Sequence, residues 1–436
     1  MTLILGLALI LRLVLFNQSL WLDEAIEALA LMGRQGPLLK YALADFQPPL
    51  YHFIGYFNTH LFGYSEIALR LPSLLCGLAT VYFMIKIADS IASRHVGLIA
   101  GLLVATNPLL IYYSQEGRTY AMTCLFVTAS FYYFMQLLRK KYLSKLCAIY
   151  YVLFTTAFLW TSYLAWFVLL AQGVYVLWKK RYDILAFQAI AGLTLLVWLP
   201  SFLTSLGIGH STLSGSPEWG RVVGGLTWKS LPLTWIKFNL GRIGFDNKMF
   251  YGVLVAGVGL IHLAILRTVP YKKYLILLIW LIPPIFLGLI TASILPIYSY
   301  FRVLFVLPAY LLLLALGSTK LSKIVIGLNI LFLVIFWLSP RYHREDWRSL
   351  VSNLPANIAL AMPSRAQSAP LLYYSRGQDI IEPSHDLIVG NPIYYIRYVE
   401  DLFDVQRVGA TKLQESGYTI TNQLSYPGIA VDIYTK

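Results

Sequence analysis

The residues best suited to chemistry are acids crowded just after the first apolar run, in Trp21-Leu22-Asp23-Glu24-Ala25-Ile26-Glu27. On a helix, Asp23 and Glu27 share a face at i,i+4, and Glu24 and Glu27 at i,i+3. Carboxylates packed this closely repel one another, and two accounts fit them. One is an ordinary acidic first turn stabilised by the helix dipole. The other is a positioned base that takes a proton from an acceptor hydroxyl. Spacing alone leaves both open.

Three further segments carry ionisable groups beside apolar runs. In Asp45-Phe46-Gln47-Pro48-Pro49-Leu50-Tyr51-His52 the two prolines force an extended turn. His52 reads as a structural polar residue or a ligand. Glu66 and Arg70 stand at i,i+4 in Glu66-Ile67-Ala68-Leu69-Arg70-Leu71-Pro72-Ser73, which suggests a local salt bridge with a snorkelling arginine. After Asn107-Pro108 comes Tyr113-Ser114-Gln115-Glu116-Gly117-Arg118-Thr119-Tyr120. Ionisable groups at membrane depth are expensive and default to functional candidates, the bland alternative being a mutually neutralised Glu116–Arg118 pair. Late in the chain, Arg302 in Tyr300-Phe301-Arg302-Val303-Leu304 is either a snorkelling anchor or a fork for phosphate oxygens.

The elements that must position these groups are membrane helices. Hydrophobic residues make up 58% of 436 positions and charged residues 12%, about half the share in a soluble globular chain. A span needs about 20 apolar residues. On that measure, helices fall near residues 2–20, 66–90, 96–112, 119–138, 146–160, 163–178, 183–205, 249–266, 274–294, 299–316 and 323–339. The first lacks a basic leader and a small-residue cleavage site, and reads as a retained helix rather than a signal peptide.

The net charge of +14 does not point to nucleic acid, because the basic residues form short clusters between apolar runs. Arg94, Arg139-Lys140-Lys141, Lys179-Lys180-Arg181, Arg267 with Lys272-Lys273, and Lys320 with Lys323 fall in alternate loops. The positive-inside rule makes those loops cytoplasmic. Residues 17–65, the loop 206–248 and the tail from Pro340 are then extracytoplasmic. Cys76, Cys124 and Cys147 lie in apolar segments and read as packing residues, with no zinc or disulfide spacing.

Two domains follow: a membrane domain over 1–339 and a small extracytoplasmic α/β domain over 340–436. Ile358–Ala361, Asp379–Glu382 and Asp386–Val389 read as short strands. Tyr418–Leu424 and Ile429–Tyr434 flank Pro427-Gly428, a hairpin turn. The fold class is mainly α, a polytopic bundle of about eleven helices with this small domain appended.

Taken together and in order, these segments resemble the GT-C glycosyltransferases. The resemblance rests on the Asp23-Glu24 pair after the first helix, Pro48-Pro49-Leu50-Tyr51, Arg70-Leu71-Pro72-Ser73, Glu116 with Arg118-Thr119-Tyr120, and Arg302 before an apolar Leu-Pro run. It is strongest to the branch of the protein O-mannosyltransferases and the lipid A aminoarabinose transferase, in which a segment like Glu345-Asp346-Trp347-Arg348 opens a soluble tail. The resemblance implies Asp23 as catalytic base, with Glu24 completing the pair. It also implies a polyprenyl-phosphate sugar donor and inversion at the anomeric carbon. Relatives often carry a histidine where this chain has Ser162-Tyr163, which leaves a metal-supported site open. Asp23, Glu24, Glu116 and His52 offer oxygen and nitrogen donors should a divalent metal bind.

No G-x-G-x-x-G follows a strand, and no cytoplasmic segment is large enough for a nucleotide-sugar fold. A phosphate leaving group is stable as an anion, so the chemistry asks for a base and for cations. Asp23 serves the first need. Arg302 serves the second, with Arg221, Lys229 or Lys237 from the loop 206–248. Arg70, His52, Glu116 and Arg118 complete the expected substrate-binding set. The acceptor is a hydroxyl of a protein, lipid or glycan, and the expected location is the cytoplasmic membrane, with the site on its outer side. The competing readings are a transporter or flippase for a lipid-linked solute, which would show paired repeats and polar groups at mid-membrane, and a non-catalytic scaffold.

Overall fold

The computed structural model describes residues 1–139, 144–215, 224–355, 358–375 and 380–436, with the backbone alone for 208–215. Lys140, Lys141, Arg221 and Asp379 lie outside the described residues.

The chain is a multi-pass membrane protein and mainly helical. α1 (Thr2–Leu13) leads to three shorter helices, α2 (Leu22–Leu31), α3 (Leu38–Ala44) and α4 (Leu50–Phe62). Then follow α5 (Glu66–Ile91), α6 (Arg94–Thr106), α7 (Pro108–Ser114), α8 (Thr119–Arg139), α9 (Lys145–Leu159) and α10 (Trp166–Trp178). α11 (Tyr182–Leu193), α12 (Leu199–Gly215), α13 (Ser230–Leu240), α14 (Lys248–Leu266), α15 (Leu275–Ala292), α16 (Leu307–Leu316) and α17 (Thr319–Leu338) complete the apolar part.

Among the described residues, five helical segments are long and apolar enough to cross a bilayer: α5, α8, α14, Tyr271–Ala292 and α17. Two pairs bent by 61° and 60°, α6 with α7 and Tyr182–Val197 with Leu199–Gly207, raise the number to seven. Thr2–Leu13, Lys145–Leu159, Tyr163–Trp178 and Leu304–Leu316 are apolar but shorter. Length and composition therefore stop short of eleven spans. α14 and α15 leave Val253, Leu260, Ile282 and Phe286 exposed, an apolar surface suited to lipid. Inside the bundle, Phe131 stacks on Trp280 at 4.4 Å, and the indole of Trp280 donates to the Phe305 carbonyl.

Two interruptions in the helices build the site. Pro108 has no N–H for the Val104 carbonyl, and Leu109 and Leu110 give theirs to the Asn107 side chain. The carbonyls so released are taken up by Arg12, which donates to Val104, Ala105 and Ala8 and to Ser114 Oγ. In return Gln115 donates to the carbonyls of Arg12 and Val14 at the frayed end of α1. α1 thus ends well before residue 20, and each break satisfies the other, as irregular backbone inside a membrane protein requires. Gly77 on α5 makes room for this corner, since a Cβ there would stand 2.1 Å from Ser114 Oγ.

The C-terminal part adds α18 (Trp347–Asn353), α19 (Ala369–Tyr374), α20 (Glu400–Phe403) and α21 (Val408–Glu415) to a five-stranded sheet. Its strands are β1 (Ala359–Ala361), β2 (Ile380–Ile381), β3 (Ile393–Arg397), β4 (Thr419–Tyr426) and β5 (Ile429–Thr435), in the order β2-β1-β3-β5-β4. β1 pairs in parallel with β2 and β3, and the other neighbours are antiparallel. β4 and β5 form the hairpin across Pro427-Gly428, with Gly428 at φ 72°. The expected strand at Asp386–Val389 is not one. Asp386 turns back to accept the Glu382 N–H and pairs with Arg365, and the strand is Ile393–Arg397 instead.

Candidate active site

The acids and arginines singled out above converge at one end of the bundle, between α2, α4, the start of α5, the α7–α8 turn and the C-terminal part. Their pairing differs from the local pairing that their spacing suggests. Arg70 is fully buried and does not reach Glu66. It grips Glu24 with Nε on Oε1 (2.8 Å) and Nη2 on Oε2 (2.6 Å), and its remaining N–H groups donate to the carbonyls of Phe16, Gln18 and Ser19. Those carbonyls belong to the unwound stretch after α1, so Arg70 fixes both the entrance to α2 and its second acid. Glu66 is held instead by Arg348 and the Tyr374 hydroxyl. The Glu116–Arg118 pair is likewise absent: Glu116 meets Arg344 at 3.3 Å, and Arg118 meets Glu27 at 3.5 Å.

Glu24 is saturated. Besides Arg70 it accepts the Gly117 N–H at 2.7 Å and lies 3.3 Å from Arg344. Burial opposes its ionisation, but Arg344, Arg70 and the Gly117 amide outweigh burial and hold its carboxyl below the usual carboxylate range. Asp23, its neighbour, is only half-buried, and among the described residues nothing donates to its carboxylate. Burial raises its pKa, Arg118 and Arg302 draw it down, and Asp45 and Glu24 push it up, with a net rise.

A second network lies on the other side of Asp23. His52 is fully buried, with Nδ1 2.7 Å from Glu27 Oε1 and Nε2 2.9 Å from Asp45 Oδ2. Tyr41 donates to Glu27 as well. Burial disfavours the charged ring, yet Glu27 and Asp45 push its pKa up to about 9. Each ring nitrogen of His52 thus faces a carboxylate, an arrangement that favours the charged imidazolium. Among the described residues no three of His, Cys, Asp and Glu are grouped to hold a metal ion.

Arg302 lies in the turn before α16 and donates to the Ile297 carbonyl, with its guanidinium in electrostatic reach of Asp23 and Arg118. Arg118 and Arg302 are both partly exposed. Ser162 and Tyr163 sit beside the start of α4, where Leu50 donates to the Trp160 carbonyl.

Several contributors escape the sequence motifs. Glu27 belongs to the acidic cluster read from the sequence but has no role of its own there, and Asp45 enters only as the start of the Pro48-Pro49 segment. Arg344 joins Glu24 to Glu116, and Arg242 lies over the Tyr112 ring and donates to the Tyr300 hydroxyl. No spacing signal marks the last two, because their partners are more than 50 residues away.

Residues 46–207 match the family described as dolichyl-phosphate-mannose-protein mannosyltransferase. Over the whole chain the fold is similar to that of two solved proteins, ArnT and AglB. The structure of ArnT from Cupriavidus metallidurans in the apo state matches with a TM-score of 0.58 and 12% identity, covering 99% of this chain and 97% of that one. The same protein bound to undecaprenyl phosphate matches at 0.60 and 11%, with the same coverage. The archaeal oligosaccharyltransferase AglB from Archaeoglobus fulgidus, in complex with an inhibitory peptide and a dolichol-phosphate, matches at 0.52 and 12%, over 99% of this chain and 74% of that one. No curated protein matches the sequence.

Proposed function

We propose that the protein is a glycosyltransferase that moves a sugar from a polyprenyl-phosphate donor to a hydroxyl acceptor at the outer face of the cytoplasmic membrane. The observation that carries this reading is the contrast between neighbouring acids. Glu24 is saturated by Arg70, Arg344 and Gly117, and Glu27 by His52, Tyr41 and Arg118, while Asp23 is half-buried and accepts no hydrogen bond among the described residues. A carboxylate on a helix anchored through Glu24 but itself left uncommitted, with its proton affinity raised by burial, suits a general base.

In this reading the acceptor oxygen attacks the anomeric carbon as the bond from that carbon to the phosphate oxygen breaks. The hydroxyl proton passes to Asp23, and the bonding pair leaves with the polyprenyl phosphate. Attack from the face opposite the phosphate inverts the anomeric centre. Arg118 and Arg302 supply positive charge where the phosphate departs. The match to a mannosyltransferase family, and relatives holding undecaprenyl phosphate and dolichol-phosphate, favour a lipid-phosphate donor over a nucleotide sugar. Residues 1–339 would form the catalytic membrane domain and residues 340–436 a domain that closes over it.

The test is incubation of the purified full-length protein with undecaprenyl-phosphate-linked hexoses and pentoses and a panel of hydroxyl acceptors, followed by mass analysis. Transfer by the wild type and its loss in Asp23→Asn are expected. Absence of transfer from every donor would overturn the reading.

A further inference from the structure

Arg344 lies just beyond α17, in the segment that leads into the C-terminal sheet, yet its side chain ends among the acids of α2 and the α7–α8 turn. Its backbone N–H donates to Gln18 Oε1 at 2.8 Å. Nη1 reaches Glu24 Oε2 at 3.3 Å, and Nη2 donates to the Gln115 carbonyl at 3.1 Å and to Glu116 Oε2 at 3.3 Å. The guanidinium lies over the Tyr112 ring, 4.8 Å from its centroid, and the side chain is 4% exposed. One planar fork thus spans two buried carboxylates, a geometry that a lysine ammonium cannot reproduce.

The two acids depend on Arg344 unequally. Glu24 keeps Arg70 and the Gly117 amide whatever happens at position 344. Glu116 has Arg344 as its one ion-pair partner among the described residues, and its other oxygen makes no hydrogen bond there. The groups that face Glu116 electrostatically are Arg344, Glu24 and Asp23 from α2, Arg242 from the turn after α13, and Tyr112, Tyr113 and Tyr120. Burial already pushes its carboxyl up to about 7 with Arg344 in place.

The C-terminal part also grips α2 itself. Leu22, next to Asp23, packs into the cluster of Trp347, Leu350 and Ile396. Ala369 and Tyr374 pack against Ala25 and Leu29, and the Leu20 N–H donates to the Tyr374 hydroxyl.

We propose that Arg344 is a positioning residue of the active site, by which the C-terminal domain completes it: Arg344 holds Glu24 and Glu116 as a fixed pair of anions beside Asp23. The field at Asp23 then depends on a cation delivered from a segment more than 300 residues away in sequence. The catalytic consequence rests on Asp23 being the base. The charge-holding role does not.

Two readouts separate these claims. The first is the infrared carbonyl band of protonated carboxyl groups, recorded on full-length protein in detergent at pH 8.5. Arg344→Gln should gain a band that the wild type lacks, and the double variant Arg344→Gln/Glu116→Gln should lose it again. No such band in Arg344→Gln overturns the proposal, whether or not any sugar transfer has been found. The second readout is initial rate with the undecaprenyl-phosphate sugar that the wild type accepts. Arg344→Gln should lose about 100-fold in kcat, with KM for the donor changed by less than about threefold. Adding Glu116→Gln should change that loss by less than about threefold, because Glu116 is already neutral once Arg344 is gone, and a further loss of about tenfold or more would overturn the charge-holding role. Unchanged kcat overturns the positioning role, whereas a wild type that transfers nothing overturns only the glycosyltransferase reading. Should Arg344→Gln fail to fold, Arg344→Lys decides. It keeps the charge but bridges only one acid, so kcat should fall at least about tenfold at equal yield of folded protein, and wild-type kcat would reject the proposal.

Discussion

Arg70 on α5 and Glu24 on α2 meet across 46 residues as a bidentate pair, Nε to Oε1 at 2.8 Å and Nη2 to Oε2 at 2.6 Å, with both side chains out of contact with solvent. Fork against carboxylate in a buried setting fixes direction as well as distance. It sets the azimuth of α2, and so decides where the preceding residue, Asp23, presents its carboxylate.

Removing one partner of such a pair leaves an uncompensated buried charge, at a cost of about 3–5 kcal/mol. Arg70→Ala should therefore lower the thermal midpoint in detergent strongly and reduce the amount of inserted protein. Arg70→Lys should recover little, because it cannot serve Glu24 and three carbonyls together. A near wild-type midpoint for either variant would contradict the anchoring role.

Asp23→Asn should behave in the opposite way. Its carboxylate accepts nothing among the described residues, so the thermal midpoint should stay within a few degrees of the wild type. Transfer should fall by about 10²–10⁴-fold, the usual loss for a general base. Glu24→Gln, in contrast, should lose stability and activity together. Equal turnover in Asp23→Asn and the wild type would move the base to another acid.

The apolar segments, the acidic turn after α1 and the C-terminal hairpin were legible because each is written within a few residues: a run of about 20 apolar positions, three acids in five, a Pro-Gly between alternating strands. The pairing of the charges was not. Local spacing joined Glu66 to Arg70 and Glu116 to Arg118, but in the folded chain Arg70 goes to Glu24, Glu66 to Arg348, Glu116 to Arg344 and Arg118 to Glu27. Periodicity carries i,i+4 information only, and these partners are brought together by the breaks at Asn107-Pro108 and after Leu13. The strand at Ile393–Arg397 did carry a signal, two isoleucines and two tyrosines in five residues. The polar run at Asp386 was the weaker choice, since Asp386 spends its carboxylate closing a turn.

The basic clusters in alternate loops predict that the loop at Lys179-Lys180-Arg181 faces the cytoplasm and the C-terminal sheet faces outward. Single cysteines placed at Lys180 and at Asn422, in a variant with Cys76, Cys124 and Cys147 replaced, should react oppositely with an impermeant maleimide in intact cells. Asn422, on an exposed strand, should label and Lys180 should not. Labelling at Lys180 alone would invert the topology and put the acids on the wrong side for the proposed donor.

Arg302 should distinguish a phosphate contact from an anchor. A charge-assisted contact contributes about 1.5–3 kcal/mol, and a fork on phosphate is not replaced by an ammonium. Arg302→Lys should keep part of kcat/KM for the donor and Arg302→Ala almost none, with the acceptor dependence unchanged. Free substitution by Lys, with Ala lowering only the yield of protein, would assign Arg302 to anchoring.

His52 gives a prediction about pH. Its folded-state pKa, about 9, lies above the value of about 6.5 expected in an unfolded chain. The group therefore contributes stability that is fully present below about pH 6.5 and is lost as pH rises through about 9. Asp45 works in the other direction. Burial resists its charge, but His52 and Arg118 hold its carboxyl below the usual range, so its contribution is present above the ordinary carboxylate pKa and is lost only in acid. Between about pH 6.5 and 9 Asp45 adds no slope, while Glu116, raised to about 7, adds a fall of its own at the lower end. The ring's share is therefore the difference between the wild type and a variant without it. The thermal midpoint of the wild type in detergent should fall steadily over that interval. His52→Gln cannot carry a charge, so it should start lower and fall less than the wild type over that interval. Two parallel curves would show that the slope arises elsewhere and that His52 is neutral between Glu27 and Asp45.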